Sequence, residues 1–367
     1  MDVVTPVRRQ DWDEIVSLSE QSLAFHRPEW MDAICRTSGF AEATRLYVRP
    51  GRRIVVPLAR RTGPRGLGGM VASLPYGWGF GGAIADGPLE DDDVAAITAD
   101  LTAQGWLRLS VRPDPRFAGP WAPAFGPHVV RIPRRAHVLD LAGGFDTVWS
   151  RRFTSDCRRH VRRAERSGIS VEVGHGPAAL DVFADLYARS TERWARQAGS
   201  APVRWWMRAR SERRAKFDAA AAALGDALDV WIAREGDRPV AAVVVLSHGS
   251  AASYWRGAMD EAAAGRTRAN YLLHRLAIEA ACQAGRGAYH MGDTGTSASL
   301  AQFKTRFGAV AMDYAEFRAE RLPLTQGTRV ARRAVEGVVG SRVGDPSSVA
   351  SAGDTARGSP EGSTDAQ

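Results

Sequence analysis

Lys304, Asp293 and His290 fall close together in one stretch, GRGAYHMGDTGTSASLAQFKTRFGA (285–309). Their types suit acid–base and anion chemistry. An imidazole titrates near neutral pH and can take a proton from an amine, although His290 equally fits a packed strand position. Asp293 can serve as a base or cap the following helix. Lys304 is singled out by scarcity, because only it and Lys216 are lysines among 49 basic residues. An ammonium kept against such a bias suggests a need for a compact point charge, where a planar guanidinium would not serve. An ordinary exposed helix lysine is the plain alternative.

A second stretch, SLPYGWGFGGAIADG (73–87), interleaves Tyr76, Trp78 and Phe80 with Gly77, Gly79, Gly81 and Gly82. The aromatic rings offer flat faces, and glycine lets a ligand approach the backbone. Plugging the edge of a core would use the same residues. A third stretch, 145–167, repeats Phe145, Trp149, Phe153, Cys157 and Val161 every fourth residue. Arginines at 151, 152, 158, 159, 162, 163 and 166 cover much of the rest, as a phosphate-gripping face or a solvated one.

The totals exclude several classes. Hydrophobic content of 44% with 25% charge describes a globular chain, long enough at 367 residues for two domains and a tail. Cys35, Cys157 and Cys282 are odd in number and share no metal-like spacing, so reduced thiols are expected, with no disulfide frame, no metal site and no cysteine nucleophile. No apolar run is long enough for a transmembrane segment, and Met1 to Gln10 lacks a signal-like core. The expected location is cytoplasmic, with peripheral contact at the inner membrane face left open. A net charge of +8 and a pI near 9.9 favour polyanionic partners such as transfer RNA, nucleotides or an anionic membrane. DNA is not expected.

These residues need elements to position them. Periodicity predicts helices at 11–18, 28–37, 91–104, 145–167, 178–196, 203–224 and 269–284. Strands are predicted at 43–48, 54–59, 107–111, 136–141, 169–173, 229–234, 239–247, 251–259, 288–291 and 311–320. Residues 43–59 form a hairpin, 260–268 a polar break, and 292–299 a loop before the helix of Phe303 and Lys304. Residues 330–339 read as a loose basic helix, and 345–367 as disordered for want of apolar side chains.

In the second half, SYWRGAMD (253–260), ANYLLHRLAIEAACQAGRGAYHMG (269–292) and FKTRFGA (303–309) resemble the closing segment of the FemAB-like branch of the GNAT acyltransferase superfamily. FHRPEWMDAI (25–34), SLPYGWGFGGAI and RRFTSDCRRHVRRAERSG (151–168) are similar to that family's earlier segments. The resemblance implies an α/β (mixed α+β) fold of two tandem GNAT-like domains, each a mostly antiparallel twisted sheet flanked by helices. The expected division is 1–142, 143–325 and a tail, 326–367.

It further implies an N-acyltransferase acting on an amine of a small-molecule or cell-envelope acceptor, lipid-linked acceptors included. Acyl-CoA is the first expectation for the donor and aminoacyl-tRNA the alternative, the latter with a peptidoglycan precursor or peptide-like acceptor. Phe303 and Lys304 would sit at the donor site, the ammonium on a phosphate, so that Lys304→Ala spares folding and severely lowers transfer. Trp30, Tyr76, Phe80, Arg159, Tyr254 and Arg256 would bind substrate, with Lys304, Asp293 and His290 as the catalytic candidates. The coenzyme-binding turn departs from the family's pattern, since EAAAGRT (261–267) has a single glycine. That departure motivates a further alternative, a non-catalytic relative that binds a polyanion.

Overall fold

The computed structural model describes residues 1–63, 69–197, 214–295 and 297–327. The strands, in chain order, are β1 (Asp2–Val4), β2 (Phe40–Glu42), β3 (Arg45–Arg49), β4 (Arg52–Val56), β5 (Ala59–Arg61), β6 (Met70–Ala72), β7 (Ile84–Ala85), β8 (Arg108–Val111), β9 (Val130–Asp140), β10 (Ile169–Gly174), β11 (Leu228–Glu235), β12 (Arg238–His248), β13 (Ala251–Met259), β14 (Ala288–Asp293) and β15 (Val310–Glu320). Strands β1, β3, β4 and β7 make a small sheet. The others form one long sheet in the order β10-β11-β12-β13-β14-β9-β15-β8-β6-β5-β2. The 43–59 hairpin is present, with β3 and β4 antiparallel.

The long sheet runs through both halves of the chain. Its join is β15, which pairs antiparallel with β9 along Val310–Arg318 and with β8 at Phe317–Glu320. At the other end β12 and β13 are apolar on both faces, and all nine residues of β13 are buried. Such strands need cover on each side. Helix Pro177–Gln197 supplies Leu180, Phe183 and Tyr187 to one face, while helix Ala269–Gln283 supplies Leu272, Leu273 and Ile278 to the other.

Three apolar clusters result. One belongs to the first half around Ile97, Leu101 and Trp121, and one to the second half around Phe153, Tyr289 and Phe307. The third joins the halves, packing Trp30, Trp78 and Phe80 against Phe183, Phe217 and Trp255. The fold is the expected mixed α/β type, with antiparallel and mixed sheets flanked by helices.

Three local expectations are corrected. The 145–167 helix is broken into a helix at Gly144–Thr147, a π turn at Val148–Arg152 and a helix at Ser155–Glu165. Phe153 is extended and the Thr154 hydroxyl caps Cys157 N, so a strong capping residue starts a new helix while the buried stripe runs on. The polar break 260–268 contains a helix, Glu261–Thr267, capped by Asp260. Helix Ala298–Arg306 is capped by Ser297, which accepts from Leu300 N, and not by Asp293. Of the predicted 203–224 helix only Arg214–Leu224 lies within the described residues. The expectations for 330–339 and 345–367 fall outside them.

Candidate active site between the two halves

Strands β13 and β14 run parallel but pair over only three residues, Ala251–Ser253 against Ala288–His290. β13 then stays on β12 to Met259, with a register shift at Val244/Val245, whereas β14 shifts register against β9 between His290 and Asp293. The two strands therefore part at Tyr254. The gap opens into a pocket of about 620 Å³ including its mouth, lined by Tyr254, Trp255 and Arg256 of β13 and Met291, Gly292 and Asp293 of β14. The first half closes it with Phe25, the Tyr76–Phe80 loop and Arg112 at the end of β8.

On the β14 side, Asp293 carries the charge. Its Oδ1 accepts a 2.6 Å hydrogen bond from the Tyr314 hydroxyl. Burial, with the Asp293 charge adding to it, raises the Tyr314 pKa well above the usual phenol value, so the hydroxyl stays a donor. The backbone is fixed from beneath by Lys304, whose Nζ donates to Gly292 O at 3.0 Å and Asp293 O at 2.7 Å. Gly292 has φ +70°, a conformation that side chains other than glycine's adopt at a cost.

On the opposite side the aromatic loop is pinned by one carbonyl. Gly77 O accepts from Lys216 Nζ at 2.7 Å, Trp255 Nε1 at 3.2 Å and Arg256 Nη2 at 2.6 Å. The Lys216 ammonium also lies 4.5 Å from the Trp78 ring centre and 5.4 Å from that of Trp255, within cation–π range. Gly79 presses so closely on Phe25 that a Cβ there would meet the ring at 2.4 Å.

Behind the pocket lies a buried polar layer. His290 is fully buried against Phe80, with its Nε2 3.7 Å from Asp114 Oδ2 and neither ring nitrogen hydrogen-bonded. Burial outweighs the pull of Asp114 and pushes the imidazole pKa down to about 4, leaving it neutral near pH 7. Burial pushes the Asp114 carboxyl upward, but the charges of His290, when protonated, and of Arg116 outweigh it; near pH 7, where His290 is neutral, Arg116 alone supplies the charge, its Nη2 at 2.9 Å from the carboxylate. His26, pushed down to about 4 chiefly by burial, joins the layer through Leu23 N and Gly81 O.

The residues expected from sequence thus separate into three groups. Tyr76, Phe80, Tyr254, Arg256 and Asp293 meet at the pocket. Trp30, His290, Phe303 and Lys304 lie beneath it and do not line it. Trp30 is buried with Nε1 on Trp78 O, and Phe303 packs on Tyr271, His274 and Phe307. Lys304 has no exposed surface, so its ammonium grips two carbonyls and does not face a phosphate as expected. Arg159 is the third case, exposed on helix Ser155–Glu165 and paired with Asp156.

Sequence reasoning missed Arg112, Tyr314 and the part played by Lys216. The rarity that drew attention to Lys304 applied equally to Lys216. Arg112 stands at a strand end beside Pro113, and that alone carried no signal for a pocket. Among the described residues no helix is long and apolar enough to cross a membrane, and no group of three or more His, Cys, Asp or Glu is placed to hold a metal.

Residues 151–305 match the family model described as an acetyltransferase (GNAT) domain. A search of curated proteins gives no match. The chain is similar in fold to FemX, with a TM-score of 0.64 at 15% identity, covering 89% of this chain and 99% of that one. The C-terminal DUF2156 domain of a putative lysylphosphatidylglycerol synthetase from Agrobacterium fabrum follows at TM-score 0.53 and 13% identity, covering 90% and 95%. A conserved protein of unknown function from Bacteroides thetaiotaomicron gives 0.51 at 11%, covering 85% and 97%.

Proposed function

We propose an N-acyltransferase that moves an acyl group from acyl-CoA to an amine of a small-molecule or cell-envelope acceptor, a reading supported by the match of residues 151–305 to an acetyltransferase (GNAT) domain and by the likeness in fold to FemX. The observation that carries this reading is Asp293, a carboxylate set in an aromatic pocket where β13 and β14 part. An amine attacks a carbonyl only after losing its proton, and a carboxylate at hydrogen-bond distance can take it. The Tyr314 hydroxyl fixes one carboxylate oxygen and leaves the other toward the pocket. The acceptor nitrogen, its ammonium proton now on Asp293, then bonds to the donor carbonyl carbon; the bond to sulfur or oxygen breaks, the nitrogen's second proton leaves with that group as a thiol or hydroxyl, and Asp293 returns its proton to solvent. Phe80, Tyr254 and Met291 restrict water around the reacting atoms. In this reading Lys304 is a positioning residue, and His290, neutral and behind Phe80, orders the wall.

The divisions 1–142, 143–325 and 326–367 belong to the same proposal, supported by apolar clusters drawn mainly from each half, with Leu139 and Leu141 packing in the second and Phe317 in the first. The donor end is the parted edge of β13. Aminoacyl-tRNA is the second reading for the donor, favoured by two observations. Helix Ser155–Glu165 with its following turn presents Arg159, Arg162, Arg163 and Arg166 on the face opposite buried Cys157, Val161 and Ala164. Such a stripe suits an RNA backbone, or an anionic inner membrane face if the cytoplasmic protein works there. In addition, the segment expected to wrap a coenzyme diphosphate is the short capped helix Glu261–Thr267, whose Ala263 N–H is taken by Asp260.

Native mass spectrometry of the purified chain with acyl-CoA and charged transfer RNA tests the choice. A retained coenzyme with amide product supports the first reading, and product formation abolished by nuclease supports the second. Tight polyanion binding with no turnover from any donor would contradict both and favour a non-catalytic relative.

A further inference from the structure

Arg112 Nη1 and Asp293 Oδ2 face each other across the pocket at 4.0 Å, their side chains 9% and 17% exposed. Other arginine–carboxylate pairs in comparably buried places close fully: Arg134–Glu316 at 2.7 Å, Arg116–Asp114 at 2.9 Å and Arg45–Asp100 at 2.9 Å. Contact between these ions is expected at about 2.7–2.9 Å, so the Arg112–Asp293 pair is open. Both partners are held back. Arg112 Nη2 is tied to Gly79 O and its guanidinium lies 5.9 Å from the Tyr76 ring centre. Asp293 is tied through Oδ1 to Tyr314 and through its carbonyl to Lys304. A guanidinium with a donor unused and a carboxylate with an oxygen unused stand just too far apart to satisfy each other.

We propose that this open pair recognises a zwitterion, so that the acceptor is a free α-amino acid with an apolar side chain. Its ammonium sits on Asp293 Oδ2 and its carboxylate on Arg112, which closes a ring of charge-assisted hydrogen bonds that the two residues do not make with each other. Phe25, Phe80 and Met291 give the side chain apolar walls. A simple alkylamine would leave the buried Arg112 donor unmatched, a loss that polar sites discriminate against. The catalytic meaning of this inference rests on the transferase reading, whereas the binding it predicts does not.

Calorimetry on the full chain near pH 7 tests it with L-phenylalanine, L-phenylalaninamide, which lacks the carboxylate, and 3-phenylpropionate, which lacks the ammonium. Leucine, leucinamide and 4-methylpentanoate form a parallel series. The expected result is that in at least one series the amino acid binds about tenfold or more tightly than either analogue, the scale of one lost charged hydrogen bond. Arg112→Gln should erase the preference over the amide, and Asp293→Asn the preference over the acid. If in both series an analogue binds wild-type protein as tightly as its amino acid, the proposal is overturned. So does absence of binding by all six probes at about 10 mM, where even a weak specific site would register. Amino-acid binding without any transfer would contradict the transferase reading alone, and transfer to other amines without amino-acid binding would contradict this inference alone.

Discussion

The two sides of the pocket are held by the chain's two lysines in different ways. Lys304 reaches back eleven and twelve residues to the carbonyls of Asp293 and Gly292, a local tie that fixes the only carboxylate among the described residues lining the pocket. Lys216 reaches across 139 residues to Gly77 O, joined there by Trp255 and Arg256, and ties an aromatic loop of the first half to the second. One tie sets a charge and the other sets a shape. A buried ammonium on backbone carbonyls can therefore serve a site without touching its ligand. Rarity in the sequence identified residues under strong constraint, and the constraint was backbone placement.

Acid should weaken both sides at once, with the largest effect. His26 lies near the aromatic loop and His290 behind Asp293, and burial pushes each pKa from 6.5 down to about 4. Above pH 6.5 both imidazoles are neutral whether the chain is folded or not, and stability is full. Below it the unfolded chain takes up protons first, so stability falls progressively toward pH 4, by roughly 3 kcal/mol for each histidine. Denaturant midpoints at pH 7 and pH 5 check this, and a flat profile would mean that neither ring is neutral and enclosed.

Removing the local tie comes next. Lys304→Met keeps most of the volume but strands two buried carbonyls, a loss of roughly 2–4 kcal/mol, with transfer lowered because Asp293 shifts. Urea unfolding beside the transfer rate would show both. The expectation from sequence alone, that Lys304→Ala spares folding, is revised by its complete burial. Lys216→Met should cost less, about 1–2 kcal/mol, since Trp255 and Arg256 still hold Gly77 O. Its kinetic mark should be a raised KM for acceptor with kcat little changed. If Lys216→Met instead lowers kcat as Lys304→Met does, the division between charge and shape fails. Smallest of all, Tyr76→Ala at a position 52% exposed should change stability by less than about 0.5 kcal/mol. Acceptor KM is where it should be felt.

Much of the fold was legible because its elements are locally consistent. The strands from β11 to β13 are long apolar runs, and their predicted limits agree with the structure within a residue at most ends. The helix break at Phe153 was hidden because the buried stripe continues through it, with only Thr154 to signal a new start. At the site, Tyr76, Phe80, Tyr254, Arg256 and Asp293 were legible because aromatic, basic and acidic residues gather at strand ends and glycine turns. Arg112 and Tyr314 were not, because what makes them matter is pairing across β9 and β15 and the approach of one half to the other. No local period or spacing encodes that.

The central claim is that the Asp293 carboxylate takes the acceptor's proton in the pocket where β13 and β14 part. The most direct measurement is the rate of amide formation by Asp293→Asn at saturating donor and acceptor, with melting temperature read on the same sample. The account predicts a fall of roughly 100-fold or more, the scale of a lost general base, with the melting temperature nearly unchanged. Turnover within a few-fold of the unmodified protein would contradict it.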